Sequence, residues 1–600
     1  MLSHTDTAEL DEIQLQGTGM GRTWIAIIVF LLLVPLWVAQ SPSASDAPAK
    51  PAPTPATDKF GGLIALPSPK GATGYFRVEE AVRGDGKIKR WNLVSPLGNA
   101  MYERGVQNAN YVFLDQDVMQ ARYGSDRTPW FTRTLKRIQS WGFNVIADYA
   151  HVAFWPTGNQ AAGPGGAAVK MPFILMIRPA VQATVHPDRC GYKQPVKDII
   201  QGVPARYSIW DGAPMPDPFD PMWPACVNAS VKEARDNFAG GEFKNVPWIV
   251  GITTEDADYL WALKGTGDNS ARPNTYPHIA YLIAVANFSF SRYSDTKLHA
   301  KYAWTTYLEK KYSTIAALNA AWGSNYTSFG DEGGYGEGTG VLDEDGRHTA
   351  WLGDDPYVLK GAMPAVKADL DDMLYQYAYQ LESAEVQAIR AYDKNHLIFG
   401  PNALGGPGGF GARPQVLAAM ADAGVDVLYL TYDSVYPQNV KIAAAAYQKT
   451  GKPVLLWYGL SANQDSYWHP QPSGAGADYR TQEKRGQVYA DDQQYIFTAQ
   501  AEDGSYPIIG VNIWGLTDDN KNEHTNWGLI TNRDNPYDGK CAVRTTTYKD
   551  PFGARCGGET ADYGDFLSAV TVANARVVQQ LISEATPAPK TSGGGPSNGP

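Results

Sequence analysis

Clusters of Lys and Arg are missing from this chain. It carries 51 basic against 62 acidic residues, a net charge of −11, and no basic run interrupts that balance. Binding the phosphate backbone of a nucleic acid needs clustered cations, so the charge argues against that partner. No Gly-rich phosphate loop follows any apolar run, and there is no Gly-x-Ser-x-Gly elbow and no His/Glu zinc motif. No cofactor or metal is expected. The acidic, Gly-rich stretches 330–334 and 343–346 lack the spacing of a calcium loop and read as solvated loops. Cysteine is scarce too, with four in 600 residues. Cys190 and Cys226 fall in one loop-rich stretch, and Cys541 and Cys556 in another. Neither pair has metal-ligand spacing, and both read as local disulfides of an oxidising compartment.

Aromatic residues are plentiful, with 17 Trp and 34 Tyr. That number suits either a large core or flat faces for stacking on sugar rings. Residues 23–39 form an uncharged apolar run bracketed by Trp24 and Trp37. A membrane span needs about 17–25 residues, so the run is just long enough. The reading is a transmembrane signal anchor, with 1–22 cytoplasmic and the rest of the chain in the periplasm or outside the cell. Cleavage of a signal peptide near Ser43-Ala44-Ser45, with secretion, is the alternative. Residues 40–60 are rich in Pro and Ala and read as an extended linker, and 585–600 as a Pro/Gly/Ser tail.

Between them, 61–100 reads as a small β cap and 101–584 as a large α/β body. Eight apolar strand-like runs lie near residues 102, 145, 175, 250, 398, 428, 455 and 511, with helical stretches between them. Eight such units predict a (β/α)8 barrel with long insertions, and a doubly wound open sheet is the runner-up. The run from Val246 to Trp261 draws most interest, because its apolar residues end in Glu255, Asp256 and Asp258.

Four stretches give the chain a family likeness. They are Arg90-Trp91-Asn92-Leu93-Val94-Ser95-Pro96-Leu97-Gly98-Asn99 with Arg104-Gly105-Val106, then 307–323, then Arg485-Gly486-Gln487-Val488-Tyr489-Ala490, then 514–520 with 526–530. In these the chain resembles the polysaccharide-cleaving barrels related to beta-agarases and the beta-galactosidases of glycoside hydrolase clan A. The resemblance implies a retaining glycosidase with an Asn-Glu pair after strand four and a nucleophilic Glu after strand seven. This chain departs from both. Strand four ends in Thr254-Glu255-Asp256, without the Asn, and strand seven in Leu456-Trp457-Tyr458-Gly459, without a carboxylate.

A glycosidase needs two carboxyl groups, about 5 Å apart for retention and about 6.5–9.5 Å for inversion. Glu255, or Asp256 beside it, is the candidate acid. Asp433 at the end of strand six is the first choice of base, ahead of Asp465, Asp518, Asp519 and Asp148. Trp155, Asn402, Tyr432, Trp457, Trp514, Asp518 and Trp527 are the candidate substrate-binding residues, with His151 beside them. The lead expectation is an exported glycoside hydrolase acting on a polysaccharide. A non-hydrolytic carbohydrate-binding barrel and an envelope transglycosylase are the alternatives.

Overall fold

A computed structural model describes residues 55–83, 86–155, 170–185, 190, 208–209, 213–214, 216–238, 243–256, 299–330, 340–341, 364–402, 413–433, 439–460, 482–518, 528–532, 534 and 563–585. Eight parallel strands form one sheet. In chain order they are Glu103–Val106, Val145–Ile146, Phe173–Met176, Ile249–Asp256, Leu397–Asn402, Leu428–Asp433, Val454–Gly459 and Ile508–Trp514. Called strands one to eight, they lie side by side in the order five-four-three-two-one-eight-seven-six. The edges of strands five and six then meet, where the Asp426 and Val427 N–H groups both donate to the Ile398 carbonyl. The sheet thus nearly closes into the (β/α)8 barrel that the sequence predicts.

The strand sequences suit this geometry. A strand of a parallel barrel is covered on both faces, so it reads as a continuous apolar run. Val454-Leu455-Leu456 is one example, with all three residues buried. The helices alternate with the strands and bury one stripe each. The helix Ile315–Trp322 starts on Thr314, whose hydroxyl accepts from the Ala317 N–H, and stops at the left-handed Gly323. The last helix, Tyr563–Ala585, packs along Gln482–Phe497.

The N-terminal end of the barrel is plugged. Strands Arg77–Arg83 and Ile88–Val94 pair antiparallel, and Ser505–Tyr506 joins the second of them. Phe60, Phe76, Leu93 and Met101 pack from this cap against Val145, Ile174, Val250, Phe399 and Leu455 of the barrel strands. Arg90 ties the cap to the last helix through a 2.7 Å ion pair with Glu584, and its guanidinium stacks on Phe497 and Tyr506. With one end filled by apolar side chains, the open end is the C-terminal one.

Cys190 and Cys226 are joined in a disulfide, while Cys541 and Cys556 lie outside the described residues. The membrane anchor is corrected. No helix among the described residues is long and apolar enough to cross a membrane. The longest, Pro364–Tyr392, carries Lys367, Asp369, Asp371, Asp372, Glu382, Glu385 and Arg390 along its length, and such a density of charge bars it from hydrocarbon. Residues 23–39 themselves lie outside the described ones.

Candidate active site at the C-terminal end of the barrel

The strand register sets out the rim. Asp433 of strand six pairs with Gly459 of strand seven, which pairs with Trp514 of strand eight. On the other side, Asn402 of strand five pairs with Asp256 of strand four. Asp256 and Asp433 therefore flank strand five.

Three half-buried aromatic rings stand at this end. Trp457 and Trp514 lie 5.5 Å apart at 32°, and Tyr149, just past strand two, meets Trp514 edge-on at 5.3 Å. The Arg178 guanidinium, just past strand three, sits 5.7 Å from the Tyr149 ring. A cavity of about 330 Å³ opens beside them, lined by Tyr149, Trp155, Met176, Arg178 and Gln182 among others. Flat rings beside a cleft that also offers Arg178 and Gln182 suit a sugar, whose rings offer apolar faces and hydroxyl edges.

Beneath the rings the barrel interior is polar. Tyr429 Oη donates to Asp148 Oδ1 at 2.9 Å and accepts from Gln107 Nε2 at 2.7 Å and Asn512 Nδ2 at 2.9 Å. Asp148 Oδ1 also accepts from Gln107 Nε2 at 2.8 Å, and Asp148 Oδ2 accepts from Asn402 Nδ2. Strands one, five, six and eight and the end of strand two all contribute, and every one of these side chains is buried. Glu103 on strand one is fully buried as well, and neither of its carboxyl oxygens has a hydrogen-bond partner at ordinary geometry.

Two strand glycines make the room. A Cβ on Gly105 would overlap Asn512 Oδ1, and one on Gly510 would overlap the Glu103 side chain. A small residue in a strand often marks such a close approach.

Burial acts on both interior acids. It pushes Glu103 up to about 8, with a hydrogen bond from Asn512 opposing the shift and the Asp148 charge adding to it. Burial also raises Asp148, and the hydrogen bonds from Gln107, Tyr429 and Asn402 offset only part of that rise. Near neutral pH Glu103 is therefore held mainly as the neutral acid.

The candidate residues are distributed as follows. Glu255 and Asp256 are the last two residues of strand four, and Asp433 is the last of strand six. Trp457 and Trp514 meet at the mouth, and Asn402 bonds Asp148 in the floor. Trp155 lines the cleft with its ring stacked on Phe173. Tyr432 is not brought to the mouth. It is fully buried, and its hydroxyl and that of Tyr458 both donate to Asp492 on the helix outside the barrel. Asp518 is buried too, and its carboxylate accepts from the Gly528 N–H and pins that loop. His151 Nδ1 accepts from the Ala153 N–H and starts a short turn. Asp465, Asp519 and Trp527 lie outside the described residues.

Sequence reasoning passed over Tyr149, Glu103, Gln107, Tyr429 and Asn512. The available signal was strand alternation. Asn512 is a lone amide between Val511 and Ile513, and Gln107 follows Gly105 at the two-residue spacing of one strand face.

No protein-family model matches the chain. Over 419 residues it is 23% identical to beta-agarase A of Vibrio sp. (strain JT0107), a match covering 61% of this chain and 35% of that protein. It is also 23% identical over 344 residues to beta-agarase B of the same organism, covering 46% of this chain and 30% of that one. The matched segments thus span about a third of the length of those two relatives. Among solved structures, an agarase superposes with a TM-score of 0.57 at 17% identity, over 88% of this chain and 68% of that one. An exo-beta-agarase superposes with a TM-score of 0.56 at 18% identity, over 89% and 68%. The barrel and the likeness to agarases are both borne out.

Proposed function

We propose that this chain hydrolyses O-glycosidic bonds of a polysaccharide of the kind that beta-agarases cleave. The observation that carries this reading is the sequence match to two beta-agarases on a barrel that carries paired Trp rings near the C-terminal ends of strands seven and eight. Glu255, or Asp256 beside it, is the proton donor to the leaving oxygen. Asp433 is the base that activates water from the opposite side of the sugar. The absence of a carboxylate from Leu456-Trp457-Tyr458-Gly459 favours this inverting scheme over a retaining one. Trp457 and Trp514 hold the ring face, and Tyr149 closes the row. The protein acts outside the cytoplasm, in keeping with the Cys190–Cys226 disulfide.

The test is incubation of the whole chain with agarose and a panel of other β-linked galactans, with products resolved by mass and by anomeric NMR. Cleavage with inversion, lost in Glu255→Gln and Asp433→Asn, is the expected result. Full activity in Glu255→Gln rejects Glu255 as the acid and passes the role to Asp256. The same missing strand-seven carboxylate favours a second reading, a barrel that binds glycans without cleaving them. Tight binding with no product from any galactan selects that one.

A further inference from the structure

The polar floor of the barrel contains more order than filling space requires. Tyr429 Oη makes one donated and two accepted hydrogen bonds, which uses the full capacity of a phenol oxygen. Asp148 receives donors from three side chains, Gln107, Tyr429 and Asn402. A carboxyl group that meets donors on both oxygens is held in one rotamer. The arrangement then fixes Asn402 in turn. With Nδ2 committed to Asp148, the planar amide must direct Oδ1 elsewhere, and that atom is buried without a partner. Asn402 ends strand five, in register with Asp256. An unsatisfied buried acceptor is unfavourable, and a ligand hydroxyl removes that cost.

We propose that Asp148 is a positioning residue of this site: by holding the Asn402 amide in one orientation, it presents Asn402 Oδ1 as the acceptor for a hydroxyl of the bound sugar. The inference rests on the carbohydrate reading above and extends it to the recognition of one hydroxyl. Asp148 does not touch the sugar, because both of its oxygens are occupied below the mouth. Its neighbours among titratable groups are Tyr429, which bonds it, and Glu103, which burial holds in the protonated form.

The two single variants and the double variant decide the matter, in whole protein with agar oligosaccharides as probe. Asn402→Ala removes the acceptor. In Asp148→Asn the new amide allows Asn402 to turn over and present its NH2 group to the sugar. Each single change is expected to lower kcat/KM about 10- to 100-fold, and the double variant to lose little more than either alone. Losses that multiply, or an Asp148→Asn protein as active as the original, overturn the proposal. If Asp148→Asn does not fold, Tyr429→Phe takes its place in the cycle, because it removes a donor to Asp148 without removing volume. Equal losses from Tyr429→Phe in both backgrounds overturn it. If the unmodified chain binds the oligosaccharides without cleaving them, the hydrolase reading fails, and the same cycle read as Kd by calorimetry supports or overturns the role of Asp148.

Discussion

Glu103 gives the sharpest test of the barrel interior. Its carboxyl titrates near 8 in the folded chain, against an ordinary 4.5, because burial removes water from its charged form. Below pH 4.5 the folded and unfolded chains both hold the proton, and above pH 8 both have released it. Between these limits only the folded chain holds it, so stability falls as pH rises. The slope is about 1.4 kcal/mol per pH unit, which amounts to about 5 kcal/mol across the window. Unfolding entropy of about 2.1 cal/mol/K per residue makes 1 kcal/mol worth about 1 °C in a body of this size. The whole effect is therefore about 5 °C. Glu103→Gln has the shape of the neutral acid and no proton to lose. Melting curves of both proteins from pH 5 to pH 8 should show the variant gaining on the original by about 1 °C per pH unit. A constant gap between the two melting temperatures refutes a neutral Glu103.

Gly105→Ala puts a methyl where Asn512 Oδ1 lies, and a loss of about 1–3 kcal/mol in urea unfolding is expected. Trp457→Ala removes one of the two paired rings at the mouth. It should weaken oligosaccharide binding about 10-fold, as the loss of about 1.4 kcal/mol requires, and a change of Kd below twofold in calorimetry excludes Trp457 from the sugar site. Cys226→Ser opens a disulfide that spans 36 residues. A loss of about 4 kcal/mol follows from loop entropy, and equal unfolding midpoints for the variant and the oxidised protein count against that contribution.

Much of the fold was legible before any coordinates. Strands such as 454–459 are covered by the barrel interior on one side and by helices on the other, so they appear as uninterrupted apolar runs that composition alone can locate. The helices between them announce themselves by caps such as Thr314 and Gly323. The rim was partly legible, because a carboxylate or a Trp at the end of an apolar run must lie near the C-terminal face. Trp457, Trp514 and Asn402 do lie in the C-terminal halves of strands seven, eight and five. Tyr432 was misplaced by the same logic, since it too ends a run. Alternation from Tyr429, which faces the interior, sends Tyr432 outward to Asp492.

The sequence by itself determined the eight-unit barrel, the two local cysteine pairs as candidates, and the strand ends on which chemistry had to be sought. Only the tertiary structure decided which side chains meet inside. Tyr429 and Gln107 bond across 322 residues of chain, and Asn402 reaches Asp148 across 254, so no local pattern joins them. Register shifts, such as the one between Phe173 and Ile174 where strand three pairs with strand four, move residues from one face to the other without any mark in composition. The charge state of the floor follows from the same closure. Glu103 and Asp148 are ordinary acids as letters in the chain, and only the closure of the barrel buries both and gathers three side-chain donors around Asp148.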